Sequence, residues 1–548
     1  DNFDFETKNS IFKSIGNIQV IDNKKNKYEF SQIYIDTKKK EILGTDIKSY
    51  LNDRNFKINE KNKPRVFANT LKMNEKETQF NKSIFTLCDY RKNDKCPPWS
   101  IRASKMFHDS EKKTIYYDNA VVKVYDFPVF YFPKLSHPDP SVKRRSGFLV
   151  PSISDSKNLG FGASVPYFFN IDRDKNFTLT TKLYANEHPL FTGEYHQVFK
   201  NSNFIADFGY TEGYNETTIN KTEGKKSHFF SKFVKNFKGK NNSENSLGLS
   251  LQTVSNDKYL KLYKLKSNLV DYNLDTLESS LDFSHEDEDI FFGLNASVFE
   301  TLKENYEDKY EYIAPEMTLS KNLFVSESLG SLDLQSNLKV HNYDTNKLTN
   351  FIVNDLSWSS KDFLHKSGVK SKFLSNFKNI NYETKNVNLY KEDPTSEIYG
   401  AFGYQSEIKF EKNNGKNQHF LIPKIFARYA PGGMRKEKSG SRLDPISAFS
   451  MDRLDHINNF ETGFTGTLGI DYEIKNNDKS LDFSIAQIIN NEENKKMSSE
   501  SSLDEKLSDL VGAANFDINK NVNITYNFAL DQNYKELNYN DLGAKMNY

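Results

Sequence analysis

Beyond Phe148, apolar side chains recur at every second residue through long segments, and this period limits the fold more than any other feature. Phe204, Ala206, Phe208 and Tyr210 alternate with Asn203, Asp207 and Gly209, with Ile205 as the one break. Leu332, Leu334, Leu338 and Val340 alternate with Asp333, Gln335, Asn337 and Lys339. Phe460, Phe464, Leu468, Ile470 and Tyr472 oppose Glu461, Thr465, Asp471 and Glu473. Val522, Ile524, Tyr526, Phe528 and Leu530 oppose Asn523, Thr525, Asn527 and Asp531. Successive side chains of a strand point to opposite faces, so each segment carries one apolar and one polar face. Strands of roughly 9–11 residues suit a tilted bilayer crossing, whereas soluble strands centre on about 5–6. The pattern predicts an antiparallel transmembrane β-barrel rather than a soluble sandwich.

Composition supports this. Only 36% of the 548 residues are hydrophobic, and no apolar run reaches the ~18 residues of a membrane helix. A soluble chain this polar drifts towards disorder, yet 14% of the residues are aromatic, with 44 Phe and 30 Tyr. A barrel reconciles the two, because only one face of each strand meets lipid. The 75 basic and 74 acidic residues leave a net charge of +1, which points to no nucleic-acid partner. The ten histidines are scattered, without HExxH or CxxC spacing, GxSxG elbow or Walker loop. No metal, cofactor or catalytic site is therefore expected. Gly160-Phe161-Gly162 reads as a strand bend. Polar stretches at Thr211–His228, Glu300–Glu311, Gly433–Asp444 and Asn490–Ser508 read as long loops, and Asn413-Asn414-Gly415 as a hairpin turn.

The first third is built differently. FSQIYIDTKKKEILGTDIKSYL from Phe30, FANTLKMNEKETQFNKSIFTLC from Phe67 and IRASKMFHDSEKKTIYYDNAVVKVY from Ile101 share one shape: alternating strand, charged turn, alternating strand. Ala68 and Ala103 lie 35 residues apart, a spacing typical of stacked repeats. Such hairpins stack into a β-solenoid or open jelly roll with an apolar interior. Ile33, Ile35, Phe67, Leu71, Met73, Ile101 and Phe107 are the candidates to line that interior as a trough, an ordinary packed core being the other reading. Cys88 and Cys96 fit either a small disulfide in an oxidising compartment or two free thiols.

Between the two regions lie an apolar run at Phe127–Pro133, a turn at His137–Pro140 and a basic triplet at Lys143–Arg145. Pro128, Pro133, Pro138 and Pro140 are not expected inside one regular element. The expected division is a jelly roll over 1–135, a hinge over 136–147 and a barrel over 148–548. Pro151 and Pro166 fall where the first two barrel strands are expected, and each removes a backbone donor, which suggests a weakened edge.

PPWSIRA, NAVVKVYDFPVFYFP and SHPDPSVKRRSGFLVPSI, followed by ASVPYFFNID, closely resemble the LPS-assembly outer-membrane LptD family, also called OstA-like. LIPKIFARYAP, MDRLDHINNFETGFTGTLGIDYE and SDLVGAANF extend the resemblance along the chain. It implies an all-β protein: a periplasmic jelly roll followed by a 26-stranded outer-membrane barrel, here without its closing strands and hence open. It implies lipopolysaccharide as cargo, an LptA-type periplasmic bridge protein as donor and the lipoprotein LptE as a plug. Pro151 and Pro166 match the family's gate prolines, beside the seam of first and last strands, and the trough residues would shelter acyl chains. The chain's start at Asp1, without initiator Met or signal peptide, suggests a mature form or a fragment. A porin or substrate-specific channel with a periplasmic extension is the alternative.

Overall fold

The computed structural model describes residues 2–8, 10–22, 26–50, 64–88, 98–125, 127–138, 142, 144–215, 223–303, 306–437, 440–454, 456–476 and 479–547. Its contacts divide into two compact units, Asp1–Ser154 with Ala163–Lys182, and Asp155–Gly162 with Leu183–Tyr548.

The N-terminal nine-stranded sheet runs in chain order, every strand pairing antiparallel with the next. Its strands are β1 (Asn2–Glu6), β2 (Ile11–Ile21), β3 (Lys27–Asp36), β4 (Glu41–Tyr50) and β5 (Arg65–Met73). They continue as β6 (Glu77–Thr86), β7 (Trp99–Asp109), β8 (Thr114–Val124) and β9 (Phe127–Pro138). A crease crosses seven of them, β3 to β9. The ladder lapses at Ser31, Asp46, Asn69, Lys82, Ser104 and Asn119, and again at Pro133 on β9. Asp46, Lys82 and Asn119, at φ of 52°, 46° and 51°, take the left-handed conformation there, 36 and 37 residues apart. At the crease the inward parity flips. Tyr28 and Phe30 give way to Ile33 on β3, Val66 and Ala68 to Leu71 on β5, and Ile115 and Tyr117 to Ala120 on β8. Both halves of each strand therefore face one apolar interior, the geometry of a jelly roll.

The second sheet has 23 strands, again in chain order. It opens with β10 (Gly147–Phe148), β11 (Ser152–Ser156), β12 (Gly160–Asn170) and β13 (Lys175–Tyr184), and its last strand is Leu537–Met546. Many of the connections alternate in length. Residues 171–174, 199–201, 239–243 and 287–289 are short turns, whereas 212–225, 255–275, 302–309, 431–462 and 491–509 join strands at the opposite end. Outer-membrane barrels show this asymmetry. The apolar face is uncovered: Phe208, Phe229, Leu249, Leu251, Leu281 and Phe291 are exposed. They match across strands, Phe208 opposite Phe229 and Leu249 opposite Leu281. An exposed apolar band on a sheet whose other face is polar is the barrel design with lipid as solvent.

Four details differ from expectation. β9 contains Pro128, Pro133 and Pro138, so three of the four prolines do share one strand; it is an edge strand, where a missing N–H costs no ladder bond on the open side. β9 also carries the N-terminal sheet past residue 135. The contact division places β10 and most of β12 and β13 with the N-terminal unit rather than with the rest of the barrel sheet. Phe460 is not part of a barrel strand, which starts at Gly463; it lies buried in the preceding loop.

Candidate functional site

The sheet begins on a broken edge. β10 pairs with β12 through Gly147 opposite Phe168 and Phe148 opposite Tyr167. Next, the Leu149 N–H donates to the Pro166 carbonyl at 2.9 Å. Pro166 has no N–H to return to Leu149, so this narrow pair keeps one bond of two. Pro151, two residues further on, likewise has no N–H to offer. Regular pairing stops after Phe148 and resumes at Ser152. Pro166 thus lies within β12, whereas Pro151 lies in the gap between β10 and β11, outside any strand. At the far side of the sheet, Leu537–Met546 has Val522–Leu530 as its neighbour in the strand order, and among the described residues no pairing joins it to β10 or β11. The edge carries exposed Phe148, Leu149, Val150 and Ile153.

The arginines of the basic triplet anchor this region, and Lys143 lies outside the described residues. Arg145 Nη1 donates to Thr114 Oγ1 and to the Lys112 carbonyl, at the β7–β8 turn. Arg144 Nη1 donates to the Arg173 carbonyl at 3.0 Å, and its guanidinium lies 5.7 Å from the Phe168 ring centroid.

The trough candidates divide at the crease. Ile33, Leu71 and Ile101 are buried in the N-terminal core, and Ile35 and Met73 pack against it, half-buried. Phe67 and Phe107 fall on the other face, Phe107 with its ring 6.0 Å from that of Tyr116. Strict alternation from Leu71 or Ile101 sets both inward, but the parity flips at Asn69 and Ser104, so Val66 and Met106 take those places. Cys88 is half-buried after β6; Cys96, and with it any pairing of the two, lies outside the described residues.

Sequence reasoning quoted MDRLDHINNFE only as a signature, and the structure shows what it does. Residues 440–454 and 456–462 fold back onto the polar face of the sheet through buried charges. Arg453 Nε donates to Glu461 Oε2 at 2.7 Å, and its Nη2 bonds Glu461 Oε1 and Thr465 Oγ1. Arg428, fully buried on the strand Gln418–Ala430, donates to the carbonyls of Met451 and Glu461 at 2.5 Å each. Lys378 Nζ lies 2.6 Å from Asp452 and 3.3 Å from Asp355. The Phe460 ring sits between the Lys378 and Arg428 cations, at 5.4 and 5.6 Å from its centroid. Such a cluster satisfies charges that would be prohibitive singly.

With a proline-bearing first strand pair, a jelly roll and an exposed apolar band in place, the comparisons are decisive. The family model for LPS transport system D matches residues 232–548. The chain belongs to that family. It is 33% identical over 118 residues, 22% of its length, to the LPS-assembly protein LptD of Nitrosococcus oceani, and 41% identical over 101 residues, 18% of its length, to that of Shewanella sp. strain ANA-3. These matches span 15% and 13% of the two relatives' lengths. Among solved structures, BamA from Haemophilus ducreyi lacking POTRA domains 1-3 is similar over 74% of this chain and 71% of that one, at 8% identity and a TM-score of 0.19, too distant to carry an argument. The family's fold, an OstA-like jelly roll with an outer-membrane β-barrel, is the architecture described above.

Proposed function

We propose that the protein receives lipopolysaccharide on its jelly roll and inserts it into the outer leaflet of the outer membrane through an edge of the barrel starting at β10. The observation that carries this is the halved hydrogen-bonding between Leu149 and Pro166. Each missing bond forfeits about 0.5–1.5 kcal/mol, enough to bias a short seam towards opening while the rest of the sheet stays closed. The jelly-roll interior supplies apolar contact for acyl chains, at about 0.8 kcal/mol per buried CH₂. Ile35 and Met73, half-buried at its margin, are the candidates to meet them first, followed by Ile33, Leu71 and Ile101 once the interior parts. The polar face of the barrel carries the sugars.

β10 pairs with the end of β12 that leads into the short turn 171–174, so the chain enters the sheet at its short-turn end. Short turns are periplasmic in such barrels. This supports a periplasmic jelly roll; an LptA-type bridge delivering to it and an LptE plug within the barrel are proposed from the family resemblance alone. No covalent step is needed, and the protein works as a transporter and not as an enzyme.

The full-length protein bearing Pro151→Ala and Pro166→Ala together should assemble normally but deliver less lipopolysaccharide to the cell surface. Undiminished delivery would leave the two prolines as features of folding and remove the gate. A photo-crosslinker at Met73 should capture lipopolysaccharide more often than one at Lys72, which points outward from the same strand.

A further inference from the structure

The turn joining β11 to β12 is packed into the second unit. Its last residue, Leu159, is buried, an unusual state for a large apolar side chain on a three-residue turn. Leu159 belongs to a hydrophobic cluster of the second unit that contains Leu190, Tyr214, Tyr259, Tyr263 and Leu265. Three of these come from residues 255–275, whose short helix Tyr259–Tyr263 buries Tyr259, Leu260 and Tyr263.

The surroundings are shaped for this packing. Tyr184, half-buried at the end of β13, packs against the cluster with its ring 5.8 Å from that of Tyr263. Gly162 on β12 makes room for it: a Cβ there would lie 2.9 Å from the Tyr184 ring. Gly160, at φ 70°, gives the left-handed step that turns the chain into β12. The Leu159 N–H is taken by Ser156 Oγ at 3.1 Å, which closes the turn on itself. Tyr263 stacks on Tyr214 with centroids 5.6 Å apart, and Tyr259 bonds His228 Nδ1 at 3.2 Å, so the cluster is fixed to the sheet from two further strand ends.

The contact division separates the same two regions. Asp155–Gly162 groups with the second unit, whereas Pro151 and Pro166 both group with the first.

We propose that Leu159 is a positioning residue, a clasp that holds the loop-side tip of the first barrel hairpin in this tyrosine-rich cluster, so that movement of the hairpin is hinged at its tip and is greatest at its proline-bearing, short-turn end. This rests on the gating reading above. It adds direction: the hairpin yields at the end where the chain joins the sheet and pivots on its clasped tip.

Hydrogen exchange of the full-length protein in lipid nanodiscs tests the clasp directly. Amides of residues 155–162 should exchange at least about tenfold more slowly than those of residues 147–154. Leu159→Ala should raise exchange at the tip by about tenfold or more, because it removes most of a buried side chain, and leave residues 147–154 unchanged. Leu159→Met, which keeps the volume, should restore protection, so that a folding defect in the alanine variant is recognised as such. Equal exchange at tip and base in the unmodified protein, or a tip still protected in Leu159→Ala, would overturn the clasp. The gate itself is judged separately, by delivery in the double proline variant, so either idea can fail alone.

Discussion

The jelly roll and the barrel sheet use the same period-two strands to opposite ends. In the jelly roll the largest buried side chains are apolar, Ile33, Ile47, Leu71, Met106 and Tyr117 among them, and its ion pairs are exposed, as between Lys40 and Glu75. In the barrel sheet the apolar side chains of Phe208, Phe229 and Leu249 are exposed, while Arg428, Lys378, Arg453 and Glu461 are buried. The difference lies in what each face meets. Water rewards hiding Leu and leaves a surface ion pair worth little, whereas lipid accepts Leu and leaves charges to find partners on the inner face.

The sharpest way to break this comparison is to remove one charge from each region. Glu461→Ala would strand the Arg428 and Arg453 guanidiniums in a buried site, a loss of about 3–5 kcal/mol, read as a lower urea midpoint for barrel unfolding. Lys40→Ala should leave the unfolding of the jelly roll unchanged, because both partners of that pair are solvated. Equal effects would mean that residues 431–462 are held by something other than charge.

An arginine on each outer face makes the next test. Leu249 lies mid-strand, opposite Phe233 and Leu281, on the exposed apolar band. Leu249→Arg should destabilise the barrel in a bilayer by about 2–4 kcal/mol. Ile15→Arg, on an exposed position of β2 between Asn2 and Gln32, should stay within about 0.5 kcal/mol. A tolerated arginine at 249 would show that this face meets water.

Alternation made the barrel legible from sequence wherever a strand keeps one parity: Phe464, Leu468 and Ile470 are all exposed, as a single apolar face requires. The same rule misplaced Phe67 and Phe107. A crease that flips parity leaves only a faint mark in the sequence, the polar residues Asp46, Lys82 and Asn119 recurring 36 and 37 residues apart within otherwise regular strands. Pro166 was readable as a missing donor within a strand, whereas Pro151 was expected in a strand and lies between two. The loop 431–462 was not. Arg453 and Glu461 are eight residues apart and meet Arg428 only through tertiary folding, and nothing in their spacing distinguishes them from solvated charges.

The smallest contrast concerns two tyrosine–histidine pairs, one in each region. On the jelly roll, His137 Nδ1 lies 2.7 Å from the carbonyl of Pro138, so it carries the proton and donates there. Nε2 is left to accept from the buried Tyr117 hydroxyl at 2.7 Å. In the barrel sheet His228 is oriented by a carboxylate instead: Nε2 donates to Asp207 Oδ1 at 2.7 Å, and Nδ1 accepts from the Tyr259 hydroxyl at 3.2 Å. Tyr→Phe at either site removes one neutral hydrogen bond, about 0.5–1.5 kcal/mol. The loss at Tyr117 should stand at the upper end, because its bond is the shorter and ties β8 to the edge strand β9. At Tyr259 it should stand at the lower end, since the charge-assisted bond to Asp207 keeps the imidazole in place. Unfolding of each variant, followed by exchange of the amides in β9 and in residues 226–238, measures the two costs side by side. A larger loss at Tyr259 than at Tyr117 would show that the barrel pair relies on its tyrosine more than on its carboxylate.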